Sequence, residues 1–166
     1  MSEFLQAEAG VRQLHAHYTD AVWRKDWAAF GDCFTPDAEW RIAGLTFVGR
    51  DDIVAGLQRI MATANRVLVT LRNPQFTLEG TGRGIGRVYV TEQCTWTDKA
   101  PNTTIGRYYE HLVDGGDRWR FSWRMFQLLY KGPADLSGDF LDCPDYGPFP
   151  AMPPRDEPSQ DTARRG

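Results

Sequence analysis

The first third of the chain alternates apolar and polar residues with the spacing of amphipathic helices. From residue 4 to about residue 23, apolar side chains recur every three or four positions and fall within about 100° of arc on a helical wheel. Two later stretches repeat this spacing, and Thr35-Pro36 stops the first of them because proline resists helical geometry. The pattern predicts three helices, over residues 4–23, 25–34 and 53–64, with a capping carboxylate from Asp51 or Asp52 before the third.

After Asn65 the pattern becomes that of β-strands, rich in Val, Thr, Tyr, Trp and Phe. Five strands are predicted, over residues 67–71, 76–78, 87–96, 104–113 and 119–130, after an extended stretch at 39–48. Short turns rich in Gly, Asp and Asn connect them, so neighbouring strands are expected to be antiparallel. The predicted fold class is α+β, with N-terminal helices covering the concave face of a strongly bent antiparallel meander.

Residues 131–166 are predicted to be a proline-rich C-terminal arm, distinct from an α+β domain over residues 1–130. Seven of the ten prolines lie in this arm, and no periodicity continues into it. Its apolar residues up to about 152 are expected to lie along a surface, either of the same chain or of a neighbouring subunit. Residues 155–166 are expected to be disordered.

The composition is that of one compact domain, with 166 residues, 42% hydrophobic content and a formal net charge of −3. No apolar run approaches the roughly 20 residues of a membrane span, and the N-terminus lacks a signal-peptide pattern. We therefore expect a cytoplasmic protein without membrane contact. The mildly acidic balance argues against nucleic-acid binding. Three widely spaced cysteines without a Cys-x-x-Cys motif predict reduced thiols.

Two motifs that suggest metal or nucleotide binding have simpler interpretations. His15 and His17 are two positions apart on a predicted helix, so they point about 200° apart and cannot share an ion. The glycine string at residues 80–86 precedes a strand rather than a helix, which favours a hairpin turn over a nucleotide loop. No metal and no cofactor are predicted.

The strongest candidate for chemistry is Glu92, which lies in the middle of an apolar strand face. The other residues of that face are Val88, Val90, Cys94 and Trp96. Burial there raises the pKa of a carboxyl group towards the range useful to a general acid or base. The alternative is a structural role, in which Glu92 pairs with a nearby arginine.

Tyr18 and Arg124 are the other two candidates. Tyr18 lies at the centre of the first helix's apolar arc, where its ring is expected to belong to the core while its hydroxyl still needs a hydrogen-bond partner. Arg124 alternates with apolar neighbours in the last strand, and a buried arginine needs a partner, which Glu92 or Glu110 could supply. Arg124 then serves a structural ion pair or tunes the pKa of Glu92.

The order of elements and several motifs resemble the SnoaL-like branch of the nuclear transport factor 2-like superfamily. This branch includes scytalone dehydratase, bile-acid dehydratases, polyketide cyclases and ketosteroid isomerases. The resemblance covers residues 8 to about 130. It rests on His17-Tyr18-x-x-Ala21-Val22-x-x-Lys25-Asp26-Trp27, Phe34-Thr35-Pro36-Asp37-Ala38, Gly49-Arg50-Asp51-Asp52-Ile53, Asn73-Pro74, Gly86-Arg87-x-Tyr89, Gly106-Arg107-Tyr108 and Trp119-Arg120-Phe121.

The resemblance implies a cystatin-like α+β barrel, a cone of curved antiparallel sheet whose helices close an apolar pocket. Such proteins are usually oligomers without a cofactor, which implies a homodimer or homotrimer here. Tyr18 matches a tyrosine that several of these enzymes use to donate a hydrogen bond to substrate oxygen. Glu92 matches the position of an active-site carboxylate in the bile-acid dehydratases.

Other positions depart from the family pattern. Trp23 replaces an aspartate of the dehydratases, Val69 replaces their catalytic histidine, and Cys94 replaces the second histidine of scytalone dehydratase. Ile42 replaces the base aspartate of ketosteroid isomerases. The catalytic residues expected are Tyr18, Glu92 and Arg124, and the substrate-binding residues are Trp23, Trp40, Ile42, Val69, Cys94, Tyr108, Phe126 and Leu128.

Two functions are consistent with such an apolar, aromatic pocket. The first is a cofactor-independent lyase or isomerase, with dehydratase-like proton transfer, acting on a hydrophobic oxygenated cyclic or aromatic molecule in aromatic compound catabolism. The second is a non-catalytic module that binds a hydrophobic ligand or partners a larger enzyme as its small subunit. Loss of the usual catalytic set motivates the second.

Overall fold

The computed structural model describes residues 1–162 of the chain. Its elements are α1 (Glu3–Arg24), α2 (Trp27–Asp32), β1 (Phe34–Ile42), β2 (Leu45–Val48), α3 (Arg50–Ile60), β3 (Ala64–Leu71), β4 (Gln75–Leu78), β5 (Arg83–Trp96), β6 (Asn102–Asp114) and β7 (Trp119–Gly132). The three predicted helices and the five predicted strands are all present. No helix within residues 1–162 is long and apolar enough to span a membrane.

Local chemistry sets the helix boundaries. The Ser2 hydroxyl caps α1 by accepting from the Leu5 amide at 3.3 Å, and Lys25 ends the helix in the left-handed conformation at φ 53°. The expected carboxylate cap of α3 is wrong, because Gly49 with φ 89° occupies the cap position without a side-chain bond. Asp52 instead accepts from the Val48 amide at 3.0 Å and so fixes the end of β2.

Two predicted helices are too long at their C-terminal ends. The second ends at Asp32, and Phe34 already begins β1, where Pro36 is tolerated because the β1–β7 pairing is irregular between Phe34 and Glu39. The third helix ends at Ile60, and Ala64 begins β3. In both cases an apolar residue that fits the helical spacing, Phe34 or Ala64, belongs to the following strand.

One seven-stranded sheet runs in the order β2-β1-β7-β6-β5-β3, with β4 beside β5. The hairpin-connected pairs are antiparallel as expected, but β1 pairs with β7 in parallel, so the sheet is mixed rather than wholly antiparallel. The sheet is curved but does not close into a barrel, because β2 and β3 end the order as separate edges. The helices pack on one face, with α1 against β3, β4 and β7 and α3 against β1 and β2.

The C-terminal arm covers the other face of its own chain's sheet. There Tyr109, Trp123 and Met125 form a small buried cluster against Tyr146 and Met152 of the arm. The ring of Tyr146 meets that of Tyr109 edge-on at 5.5 Å between centroids. The surface that the arm follows is therefore its own.

Residues 156–162 have defined contacts, so the expectation of disorder does not describe this part of the arm. The Arg41 guanidinium donates to the carbonyls of Asp156 and Glu157, both at 2.9 Å, and Ser159 is 8% exposed. An arginine from the sheet thus supplies the hydrogen bonds that a polar, proline-flanked segment lacks by itself. Residues 163–166 of the predicted disordered end lie outside the described residues.

Candidate active site

A cavity of about 160 Å³ lies between the helices and the sheet. Nine residues predicted for the site line it together, namely Tyr18, Trp40, Ile42, Val69, Glu92, Cys94, Tyr108, Phe126 and Leu128. They come from α1, β1, β3, β5, β6 and β7, so the curvature of the sheet brings them to one place. Sequence reasoning missed a group of polar lining residues, Asn102, Thr104, Lys131 and Thr162.

Trp23 is not among the residues that line this cavity. It is 46% exposed, and the Arg66 guanidinium lies over its ring at 5.7 Å from the centroid. Trp23 follows Tyr18 by five residues, which is about 140° around a helix, so the two side chains cannot face the same cavity. The structure therefore does not bring Trp23 together with the other residues predicted to bind substrate.

Glu92 lies in the middle of β5, with Val69 of β3 and Thr104 of β6 as its neighbours across the sheet. Its side chain is half-buried in the wall of the cavity. Burial raises the pKa of this carboxyl to about 7, and the positive charge of Arg124 opposes the rise. At neutral pH both protonation states are populated, so Glu92 is able to accept or to donate a proton.

Arg124 lies behind the cavity wall and is completely buried. Its partner is Glu110 and not Glu92, since Nη2 and Nε donate to Oε1 of Glu110 at 2.8 and 3.1 Å. The other carboxylate oxygen of Glu110 is 2.9 Å from Nε2 of His15. Within residues 1–162, no arginine or lysine forms an ion pair with Glu92. Glu110, and not Glu92, thus forms the structural ion pair with Arg124.

Glu110 and Arg124 keep each other charged although both are buried. Burial acts to raise the pKa of Glu110, but His15 and Arg124 outweigh it and hold that pKa below its ordinary value. Burial likewise favours neutral Arg124, yet Glu110, Tyr18 and Tyr108 raise its pKa. A permanent cation therefore lies next to the tyrosines of the cavity.

Tyr18 from α1 and Tyr108 from β6 separate that cation from the cavity. The Arg124 guanidinium carbon is 3.6 Å from the ring centre of Tyr108 and 4.5 Å from that of Tyr18. The two hydroxyls interact with each other, and burial raises the pKa of both. Both phenols therefore stay protonated, and because Tyr108 donates its hydroxyl hydrogen to Tyr18, the hydroxyl hydrogen of Tyr18 is the one offered to a ligand oxygen.

A glycine makes room for the aromatic floor of the cavity. A Cβ at Gly106 would lie 2.3 Å from the ring of Phe126, so only glycine lets this ring cross β6. The ring then packs against Tyr108 with centroids 5.0 Å apart. This packing holds Tyr108 in place over Arg124.

The end of the arm, residues 156–162, closes one side of the cavity, and we call it the C-terminal strap. The Ser159 hydroxyl accepts from the Gly44 amide at 3.0 Å, and the side-chain oxygen Oε1 of Gln160 accepts from the Leu128 amide at 2.8 Å. Thr162 follows and lines the cavity itself. The segment that sequence analysis assigned to disorder is thus part of the site.

No group of three His, Cys, Asp or Glu side chains within residues 1–162 is placed to hold a metal ion. The chemistry supported by these residues is proton transfer beside a hydrogen-bonded oxygen. Glu92 can exchange a proton near neutral pH, and the tyrosine pair can donate a hydrogen bond.

Comparison with known proteins agrees with this architecture. Residues 3–125 match a family described as the SnoaL-like domain. No curated protein sequence matches the chain significantly.

Among similar solved structures is a putative scytalone dehydratase from Novosphingobium aromaticivorans, with 15% identity, a TM-score of 0.72, and coverage of 81% of this chain and 97% of that one. A hexachlorocyclohexane dehydrochlorinase, LinA-type3, from Novosphingobium barchaimii has 17% identity, a TM-score of 0.69, and coverage of 84% and 97%. An uncharacterised cystatin-like protein from Caulobacter vibrioides has 19% identity, a TM-score of 0.65, and coverage of 75% and 91%. At these identities the likeness establishes the fold.

Proposed function

The chain belongs to the SnoaL-like domain family, within the nuclear transport factor 2-like superfamily, and on this premise we propose that it is a cofactor-independent lyase or isomerase. Its proposed substrate is a hydrophobic, oxygenated cyclic or aromatic small molecule. The family and the dehydratase and dehydrochlorinase relatives support a lyase-type fold. The reaction and the substrate class are argued from the site.

A single observation carries the proposal. Glu92 has a carboxyl pKa of about 7 and opens into an apolar cavity, opposite two protonated phenols that are in contact with a buried cation. A general base is most effective when its pKa lies near the working pH. Hydrogen-bond donors in a dry site stabilise developing negative charge far more than they do in water.

The reaction follows from these positions. Glu92 removes a proton from a substrate carbon next to a carbonyl group, while Tyr18, itself hydrogen-bonded by Tyr108, donates a hydrogen bond to the carbonyl oxygen. The electron pair left on carbon forms an enolate, whose oxygen the tyrosine pair and the positive charge of Arg124 stabilise. When the enolate collapses to a carbonyl group, protonated Glu92 returns the proton to another carbon of the conjugated system, which isomerises the substrate. Alternatively, collapse of the enolate breaks the C–O bond of a hydroxyl group on the carbon beyond the deprotonated one, and Glu92 protonates the departing hydroxide to give water.

The test is mass spectrometry of the purified protein with a pooled panel of hydroxylated cyclic and aromatic compounds. Glu92→Gln keeps the size of the side chain but cannot exchange the proton, so we expect the product to fall by about 100-fold or more. Glu79→Gln removes an exposed carboxylate and controls for charge loss. An unchanged rate in Glu92→Gln would end the assignment of Glu92.

A second candidate function is a binding module that holds a hydrophobic ligand or partners a larger subunit. It is favoured by the lining of the cavity, because none of its described residues is a histidine and Glu92 is the one carboxylate among them. Retention of a ligand without product, unaffected by Glu92→Gln, would support this function. Co-purification of a larger subunit at fixed stoichiometry would support it as well.

A further inference from the structure

A row of residues crosses the sheet along the cavity wall and ends in a positive charge. The strand register places Glu92 opposite Thr104, and Thr104 opposite Lys131. All three line the cavity. Neighbouring strands are about 4.8 Å apart, so Glu92 and Lys131 originate about 10 Å from each other across the wall. The cavity thus has an acidic and a basic end.

A β-bulge directs Lys131 into the cavity. Phe126 and Leu128 face inward, and simple alternation would place Tyr130 next to them. The β6–β7 register slips between Ile105 and Gly106, so Lys131 takes the inward position opposite Thr104. Tyr130 turns away and donates its hydroxyl hydrogen to the Pro133 carbonyl at 2.7 Å. Bulges frequently re-aim side chains beside functional sites.

The Lys131 ammonium has no ion-pair partner within residues 1–162. The other two lysines are engaged, since Lys25 donates to the Ala64 carbonyl at 2.6 Å and Lys99 lies 3.9 Å from the ring centre of Trp96. Burial and Glu92 raise the pKa of the Cys94 thiol to about 12, and both Lys131 and Lys99 oppose this rise. Of these two lysines, Lys131 lines the cavity and Lys99 does not.

A hydroxyl donor lies opposite Lys131 in the strand register, because Thr104 pairs with it across β6 and β7. Asn102 accepts from the Trp96 indole at 2.6 Å and donates its amide hydrogen to the Thr104 hydroxyl oxygen at 3.1 Å. Because that oxygen already accepts, the hydroxyl hydrogen of Thr104 is available to a ligand. Two donors on paired residues, an ammonium and a hydroxyl, suit the two oxygens of a carboxylate.

The charges in the cavity determine where the anionic group of a ligand can bind, and the cavity volume limits the size of the ligand. A carboxylate beside Glu92 would meet a like charge, whereas at Lys131 it meets an opposite one. A cavity of about 150 Å³ holds one benzene ring, and this cavity of about 160 Å³ has the same size. One ring fits between Lys131 and Glu92.

We infer that the substrate of the proposed reaction is a monocyclic carboxylate, whose carboxyl group binds Lys131 and Thr104 while its ring presents a carbon to Glu92. This inference rests on the proposed function only in identifying the cavity as the substrate site. Lys131 and Thr104 are the residues that orient the substrate.

The test is binding of benzoate and of its neutral analogue benzamide, measured by isothermal titration calorimetry at low and at physiological ionic strength. Wild-type protein is expected to bind benzoate about ten-fold more tightly than benzamide, and salt should weaken only benzoate. Lys131→Met keeps the alkyl chain but removes the charge, and should abolish the preference. Arg83→Met removes the charge of an exposed arginine outside the cavity lining and should leave the preference within about two-fold.

Three results would each overturn the inference. Wild type could bind the two compounds equally well, or show no benzoate binding up to about 10 mM, the weakest useful affinity. Alternatively, Lys131→Met could keep the wild-type preference for benzoate. Lys131 is exposed at the cavity rim, so this variant is expected to fold, and its melting temperature checks this. Turnover by the wild-type protein distinguishes the two proposals. If wild type prefers benzoate but turns over no compound in the panel, the anion site stands and the enzymatic function fails. If wild type turns over a compound, Glu92→Gln does not, and Lys131→Met keeps the wild-type binding preference, the enzymatic function stands and the anion site fails.

Discussion

The ionisation of Glu92 predicts a measurable change in folding stability that needs no substrate. Folding raises the pKa of this carboxyl from 4.5 to about 7, so between these values the folded chain binds more protons than the unfolded chain. The free energy of unfolding must therefore fall as the pH rises through this range. Glu92→Gln has no such titration, so its stability relative to wild type should increase with pH.

The magnitude follows from the two pKa values. The full cost of ionising Glu92 in the fold is about 3 kcal/mol, of which about 2.5 kcal/mol appears between pH 5 and pH 8. Because Glu92 is partly open to the cavity, solvent screening makes this an upper bound. Replacing the carboxyl by an amide adds an offset that does not depend on pH, so the slope carries the test.

Urea denaturation followed by tryptophan fluorescence at pH 5, 6, 7 and 8 measures this slope. Other titrating groups are common to both proteins and cancel in the difference. Glu79→Gln, at an exposed position, reports the general effect of removing one negative charge. A difference between Glu92→Gln and wild type that stays constant within about 0.5 kcal/mol from pH 5 to pH 8 would refute the argument that burial shifts this group.

Three further predictions concern the packing around the cavity. Glu110→Gln leaves the completely buried Arg124 without its charged partner, and we expect a loss of about 3–5 kcal/mol in urea denaturation at pH 7; a loss below about 1 kcal/mol would contradict the buried pair. Gly106→Ala forces the ring of Phe126 aside and should lower the free energy of unfolding by about 1–3 kcal/mol. Adding Phe126→Leu to the same chain should restore most of this loss. A further loss of stability in the double variant would show that the clash lies elsewhere. Arg41→Met removes the donor to two carbonyls of the C-terminal strap. The amides of the strap should then exchange deuterium faster than in wild type, while the amides of β5 and β6 exchange at the wild-type rate. Wild-type exchange rates in the strap of this variant would show that Arg41 does not hold the strap.

Much of the fold and part of the site were predictable from local patterns. Helical spacing located α1 and placed Tyr18 on its buried face, and strand alternation found Glu92 on an apolar face. The same alternation applied across an antiparallel pair would have found Thr104, which lies opposite Glu92. These features depend on residues close in sequence or on simple strand pairing.

The remaining features depend on contacts that no local pattern encodes. The parallel pairing of β1 with β7 joins residues about eighty positions apart, and the bulge that turns Lys131 inward depends on the register between two strands. The strap is ordered by Arg41, Gly44 and Leu128, whose groups come from distant elements. The resemblance alone places Trp23 at the pocket, whereas its angle of about 140° from Tyr18 around the helix directs its side chain away from the cavity.

The arm also affects how this protein tolerates being shortened. β1 pairs with β7 only as far as Met125, and beyond that point the backbone of β7 bonds to the arm, with the Leu141 amide donating to the Leu129 carbonyl at 2.8 Å and a bridge between Tyr130 and Phe140. An uncovered strand of this kind is a template for pairing with another chain. Proteolytic loss of the arm would expose this strand edge and, at the same time, the buried cluster that Tyr146 and Met152 cover, so we expect the shortened protein to aggregate more readily than the intact one.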